Sequence, residues 1–129
     1  MPARPLSKVC YVEDDEDIQR IVRMSLERVG KMTVEVVGDP TLAIEAITGF
    51  RPDLVMLDWM MPKMDGPTLF RQMKQRPETS ALPVVFITAK ASPRELDELL
   101  ALGAAGAISK PFNPKDLPDQ LRAIWSKLP

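Results

Sequence analysis

Asp53-Leu54-Val55-Met56-Leu57-Asp58, running on into Trp59-Met60-Met61-Pro62-Lys63-Met64-Asp65-Gly66, sets an acidic residue at the end of an apolar run and directly before a loop. The apolar run reads as a buried strand, and the carboxylate at its mouth is then a chemical group on display. Three other short runs end in polar residues in the same way. Glu13, Asp14 and Asp15 follow Val9-Cys10-Tyr11-Val12, Thr88 follows Val84-Val85-Phe86-Ile87, and Lys110 follows Ala107-Ile108-Ser109. If these strands are parallel neighbours, all the polar tips meet at one edge of a sheet.

Between the runs lie segments of helical periodicity. Ile18, Ile21, Val22, Ser25, Leu26 and Val29 trace one face of a first helix that Gly30 ends. Thr33–Val37 reads as the second strand, and Asp39-Pro40 opens a second helix expected to stop before Gly49. A third helix is expected from about Gly66 to Gln75, halted by Pro77. Ser92-Pro93-Arg94-Glu95 has the form of a capping box for a fourth, which ends at Gly103. Asn113-Pro114 resembles another start, but Pro118 lacks the amide for a helix interior, so the fifth is placed from Leu117, with Leu121, Ile124, Trp125 and Leu128 inward. Strict alternation of five strands and five helices, about 25 residues per unit, predicts an α/β doubly wound sheet with right-handed crossovers.

The 129 residues suit one domain, and 45% hydrophobic with 27% charged residues is an ordinary globular composition. A formal net charge of -1, with both signs scattered, gives no footprint for direct nucleic-acid binding. No stretch has the length of a membrane span, and Met1-Pro2-Ala3-Arg4-Pro5 is too short and polar for a signal peptide, so no membrane insertion is expected. The lone Cys10, set in an apolar run, reads as a core hydrophobe, and a reducing cytoplasmic setting follows. Histidine is absent, which removes imidazole general-base chemistry, imidazole metal ligation and a phosphohistidine role.

In open α/β sheets the ligand crevice lies beyond the carboxyl ends of the strands. Asp14 and Asp58 there offer hard oxygen ligands of the kind Mg²⁺ takes. A lysine opposite them supplies a second cation for an incoming phosphoryl group, and the combination points to phosphoryl transfer onto a carboxylate.

Taken together, Val12-Glu13-Asp14-Asp15, Asp58 with Met61-Pro62 and Asp65-Gly66, Thr88-Ala89 and Lys110-Pro111-Phe112 resemble the CheY-like receiver domains of response regulators in two-component signalling. Each fragment is weak alone, but their order and spacing are specific. The resemblance covers about Lys8 to Leu128, so residues 1–129 read as a single receiver domain. It implies a flavodoxin-like five-stranded parallel sheet of order 2-1-3-4-5 flanked by five helices. It implies that Asp58 is the phosphoacceptor, that Asp14 and Asp58 are the Mg²⁺ carboxylates with Glu13 assisting through water, and that Met60 offers its backbone carbonyl to the metal. Thr88 then corresponds to the hydroxyl that reaches the phosphoryl group, and Lys110 to the ammonium that pairs with it. Asp15 competes with Glu13 for the assisting role and is instead assigned to the charge at the following helix N-terminus. The peptide between Lys110 and Pro111 is expected to be cis.

The resemblance further implies a histidine kinase or phosphotransfer protein as donor, and a downstream protein target met through the face spanning about 92–127. The domain is expected to catalyse its own phosphorylation and dephosphorylation and otherwise to signal, not to turn over a substrate. Many relatives carry an aromatic residue three positions before the lysine, where this chain has Ala107. A phosphate sink, a relay shuttle and a receiver cut from a longer protein remain open. Two other classes compete. A Mg²⁺-dependent aspartyl-phosphate phosphatase needs an acid two positions after the nucleophile, where Met60 stands, and a flavin module needs a Ser/Thr/Gly-rich loop where the acidic cluster stands.

Overall fold

Five parallel strands, β1 (Lys8–Val12), β2 (Thr33–Val37), β3 (Leu54–Asp58), β4 (Val84–Thr88) and β5 (Gly106–Ser109), form one sheet in the computed structural model, which describes residues 4–89 and 93–129. Their order is β2-β1-β3-β4-β5. The helices are α1 (Glu16–Met24), α2 (Ala43–Phe50), α3 (Gly66–Lys74), α4 (Pro93–Ala101) and α5 (Leu117–Ser126). Ser92 lies outside the described residues, so the capping box expected there is not assessed. Among the described residues, no helix is long and apolar enough to cross a membrane.

β3 and β4 are buried at every position, which explains why their sequences are apolar up to the terminal Asp58 and Thr88 and do not alternate. The period of two still sorts the side chains between the faces. Cys10, Val12, Val55, Leu57 and Phe86 pack with Ala43, Ile47, Leu69, Phe70, Met73 and Leu99 on the side covered by α2, α3 and α4. Val9, Tyr11, Leu54, Met56, Val85, Ile87 and Ile108 pack with Val22, Leu26, Leu117 and Leu121 on the side of α1 and α5. Each large aliphatic side chain so buried contributes about 1.5–3 kcal/mol relative to exposure.

Three details depart from the sequence expectations. Val22, Ser25 and Leu26 are buried as the first helical stripe predicts, but Ile21 and Val29 are about half exposed, at 46% and 54%. The helix widens to a π-turn over Ser25–Val29, and that change of pitch carries Val29 off the inward stripe. Lys31, not Gly30, takes the left-handed conformation (φ 58°). Gly30 is instead required by crowding, since a Cβ there would lie 2.8 Å from the Leu26 carbonyl oxygen and 3.0 Å from Pro118 Cβ. Finally, α2 passes through Gly49 to Phe50, and Arg51 (φ 54°) ends it.

At the opposite edge from the polar tips, Asp53 ties down the entry to β1. Its Oδ2 accepts from the amides of Ser7 (3.0 Å) and Lys8 (2.9 Å), and its Oδ1 accepts from Arg4. Burial opposes ionisation of this carboxyl, but the Lys8 amide, Arg4 and the Ser7 amide outweigh it and hold its pKa below the ordinary value. A depressed folded pKa stabilises fully above the unfolded value of about 4 and is lost as pH falls through the folded one. Asp53→Ala therefore costs about 1–3 kcal/mol at pH 7. Urea unfolding from pH 7 to pH 2 will show that deficit shrinking below about pH 4.

Candidate functional site

The parallel register brings the strand ends level. Val12 pairs with Leu57, Asp58 with Ile87 and Thr88 with Ser109. Backbone bonds continue the ladders beyond the strands, from Glu13 N to Val37 O (3.0 Å), Trp59 N to Ile87 O (2.9 Å) and Lys110 N to Thr88 O (2.8 Å). These bonds fix the polar tips as firmly as the sheet itself.

Glu13, Asp14 and Asp58 each offer a carboxylate oxygen within 4.8 Å of the others. Glu13 and Asp58 are buried, at 1% and 4% exposure, while Asp14 is exposed, so the cluster has a solvent side. Lys110 Nζ reaches across to Asp58 Oδ1 at 2.9 Å and Glu13 Oε1 at 3.4 Å. Asp58, Trp59, Met60, Thr88, Ala89 and Lys110 line a shallow cleft of about 220 Å³. Thr88 is buried at its wall, and the Met60 side chain is 76% exposed at its rim. Glu13, Asp14, Asp58, Met60, Thr88 and Lys110 are thus gathered at one sheet edge, and the Lys110-Pro111 peptide is cis.

Asp15 stands apart from the cluster. Its carboxylate accepts from the amides of Asp17 (2.9 Å) and Ile18 (3.1 Å) and so caps α1. Asp65 does the same for α3, accepting from Thr68 N at 2.8 Å. Gly66 follows because the helix start presses against the phosphoacceptor candidate: a Cβ there would meet the Asp58 carbonyl oxygen at 2.4 Å.

The electrostatics are those of a cation-seeking pocket. Burial pushes the Glu13 carboxyl above its ordinary pKa and the Asp58 charge adds to this, while bonds from Tyr11 and the Asp15 amide oppose them. Burial acting alone would lower Lys110, but its bond with Asp58 and the negative field of Glu13 and Asp58 leave the ammonium with a raised pKa. Lys110 is therefore charged throughout the neutral range. Burial, with a smaller contribution from Glu35, pushes the Cys10 thiol up to about 12, which removes it as a nucleophile.

Two participants escaped the sequence reading. Tyr11, taken as one member of an apolar strand, donates its hydroxyl to Glu13 Oε1 at 2.8 Å. The available signal was its spacing of two from Glu13, which puts both on one face of the strand. Phe86, the second, meets the Trp59 ring edge-on at 5.1 Å and fixes that indole beside the cleft.

The chain matches the family described as the response regulator receiver domain over residues 9–122. It is 35% identical over 119 residues to the phosphate regulon transcriptional regulatory protein PhoB of Rhizobium meliloti (strain 1021), a match covering 92% of this chain and 52% of that protein. The chain spans about half the length of the curated relatives it matches. Among solved structures, the chemotaxis protein CheY4 of Vibrio cholerae superposes with a TM-score of 0.83 at 29% identity, covering 92% of this chain and 98% of that one. The receiver domain of a signal transduction histidine kinase from Syntrophus aciditrophicus gives a TM-score of 0.78 at 30% identity, covering 95% and 92%.

Proposed function

The chain belongs to the response regulator receiver family, and from that premise we propose that it takes a phosphoryl group onto Asp58 with Mg²⁺ bound beside it, and passes the change to a protein partner. The observation that carries this reading is the Asp58 carboxylate, buried in the acidic cluster and held at 2.9 Å by Lys110.

The donor set fits a small hard cation: three carboxylates close together, with one side open for water and phosphate oxygens. Asp14 and Asp58 would hold Mg²⁺, with the Met60 carbonyl and a water on Glu13 completing the protein's share. When bound, Mg²⁺ supplies charge neutralisation for the phosphoryl oxygens. Asp58 is the nucleophile, and Lys110 fixes its rotation through Oδ1 while remaining charged to meet the incoming group. Thr88, on the same cleft wall, offers a hydroxyl to the phosphoryl product. Positioning and charge are all that phosphoryl transfer asks of the protein.

The added group carries about -1.5 to -2 charge. Its pull on Thr88 and Lys110 acts directly on the ends of β4 and β5, and so on α4 and α5 behind them. Half-exposed Leu100 and Leu102 lie at the end of α4, at 40% and 53%, on the 92–127 face proposed to meet the target. With Ala107 in register with Phe86, the output runs without an aromatic rotamer at that position. Residues 1–129 act as one receiver in the cytoplasm, supplied by a histidine kinase or phosphotransfer protein. A sink or shuttle role uses the same site.

The test is intact-mass analysis after incubation with Mg²⁺ and acetyl phosphate. One phosphoryl adduct, removed by hydroxylamine and prevented by a chelator, is expected; its absence with the cognate kinase as donor as well rules the reading out. The division between Glu13 and Asp15 has its own check. Asp15→Ala lowers stability by about 1 kcal/mol through the lost cap. Its Mg²⁺ affinity, read by Trp59 fluorescence, will stay within about twofold of the unmodified chain because the contact of Asp15 to Glu13 is made by its backbone amide, which the substitution keeps.

A further inference from the structure

Tyr11 is fully buried in the core beneath the acidic cluster, and its hydroxyl ends on a carboxylate of that cluster. Buried tyrosines usually satisfy the hydroxyl somewhere, and a backbone carbonyl would serve the core as well. Here the partner is Glu13, whose oxygens have few other donors: the Asp15 amide at 3.2 Å on Oε2, and Lys110 at 3.4 Å on Oε1. The Tyr11 bond at 2.8 Å is the shortest of the three. The match is one of length as well as chemistry. Residues 11 and 13 rise from the same face of the chain, and the extra methylene of glutamate over aspartate extends the reach of the carboxylate.

We infer that Tyr11 is a positioning residue for the cation site: its hydroxyl holds the Glu13 carboxylate in the orientation that supports a divalent cation beside Asp14 and Asp58. This rests on the proposed Mg²⁺ reading of the cluster. Without the hydroxyl, Glu13 Oε1 keeps only the longer contact to Lys110. The carboxylate then turns toward that ammonium and competes with Asp58 for it, at the expense of the cation.

The test is titration with Mg²⁺ alone, read by tryptophan emission beside the cleft and requiring no phosphorylation. Tyr11→Phe keeps the ring and the core, and urea unfolding verifies the fold. The variant is expected to bind Mg²⁺ about fivefold to tenfold more weakly, the scale of one typical net hydrogen bond. In a Glu13→Ala background the same change should alter affinity by less than about twofold, because the partner it acts through is gone. An affinity unchanged by Tyr11→Phe, or lowered by the same factor in both backgrounds, overturns the assignment and makes the hydroxyl a core group only. If the unmodified chain shows no saturable Mg²⁺ response that Asp14→Asn removes, the cation site itself fails and the assignment falls with it.

Discussion

Asp58→Asn eliminates the phosphoryl adduct completely while the protein stays folded. The amide is nearly isosteric with the carboxylate and keeps an acceptor for Lys110, so the 2.9 Å contact has a neutral counterpart. What it loses is the proposed nucleophile: an amide oxygen does not yield a stable acyl phosphate, and among the described residues no other carboxylate shares the setting. Asp14 is exposed, and Glu13 is engaged by Tyr11, the Asp15 amide and Lys110. Mass analysis against the unmodified chain, both with Mg²⁺ and acetyl phosphate, checks the loss. A residual adduct at more than a trace would move the phosphoacceptor elsewhere in the cluster.

Lys110→Ala is the second large effect, and it separates charge from nucleophile. The carboxylate remains, but the ammonium proposed to meet the phosphoryl oxygens is gone, which lowers the rate of adduct formation by about 10²–10³-fold, as for other preorganised charge donors. Stability responds as well. Removing the lysine leaves Glu13 and Asp58 buried without their shared cation. Because Lys110 is 21% exposed, water relieves part of the penalty, and a loss of about 1–3 kcal/mol is expected in the absence of metal. Mg²⁺ then restores more stability to the variant than to the unmodified chain, since it replaces the missing positive charge. Urea unfolding with and without Mg²⁺ measures that difference, and equal Mg²⁺ stabilisation of both proteins would contradict the shared-charge account.

The site was legible in the sequence because parallel topology converts four strand ends into one place. Apolar runs ending in Asp14, Asp58, Thr88 and Lys110 needed only a common direction to converge, and the register supplies it. Pro118 was equally informative, since a residue without an amide belongs in a first helical turn, and α5 does begin at Leu117. Periodicity failed where backbone pitch changes, as with Val29 on the π-turn, and where a helix runs through a glycine, as α2 does at Gly49. Tyr11 was hidden for a different reason. In a buried strand every residue reads as core, so a hydroxyl aimed at the strand mouth leaves no mark on the hydrophobic pattern.

The most direct measurement is borohydride reduction of the protein after reaction with Mg²⁺ and acetyl phosphate, followed by peptide mapping. An acyl phosphate is reduced to the alcohol, so the account predicts homoserine at position 58 and at no other aspartate. Reduction at Asp14, or none in a chain that carries the adduct, would contradict it.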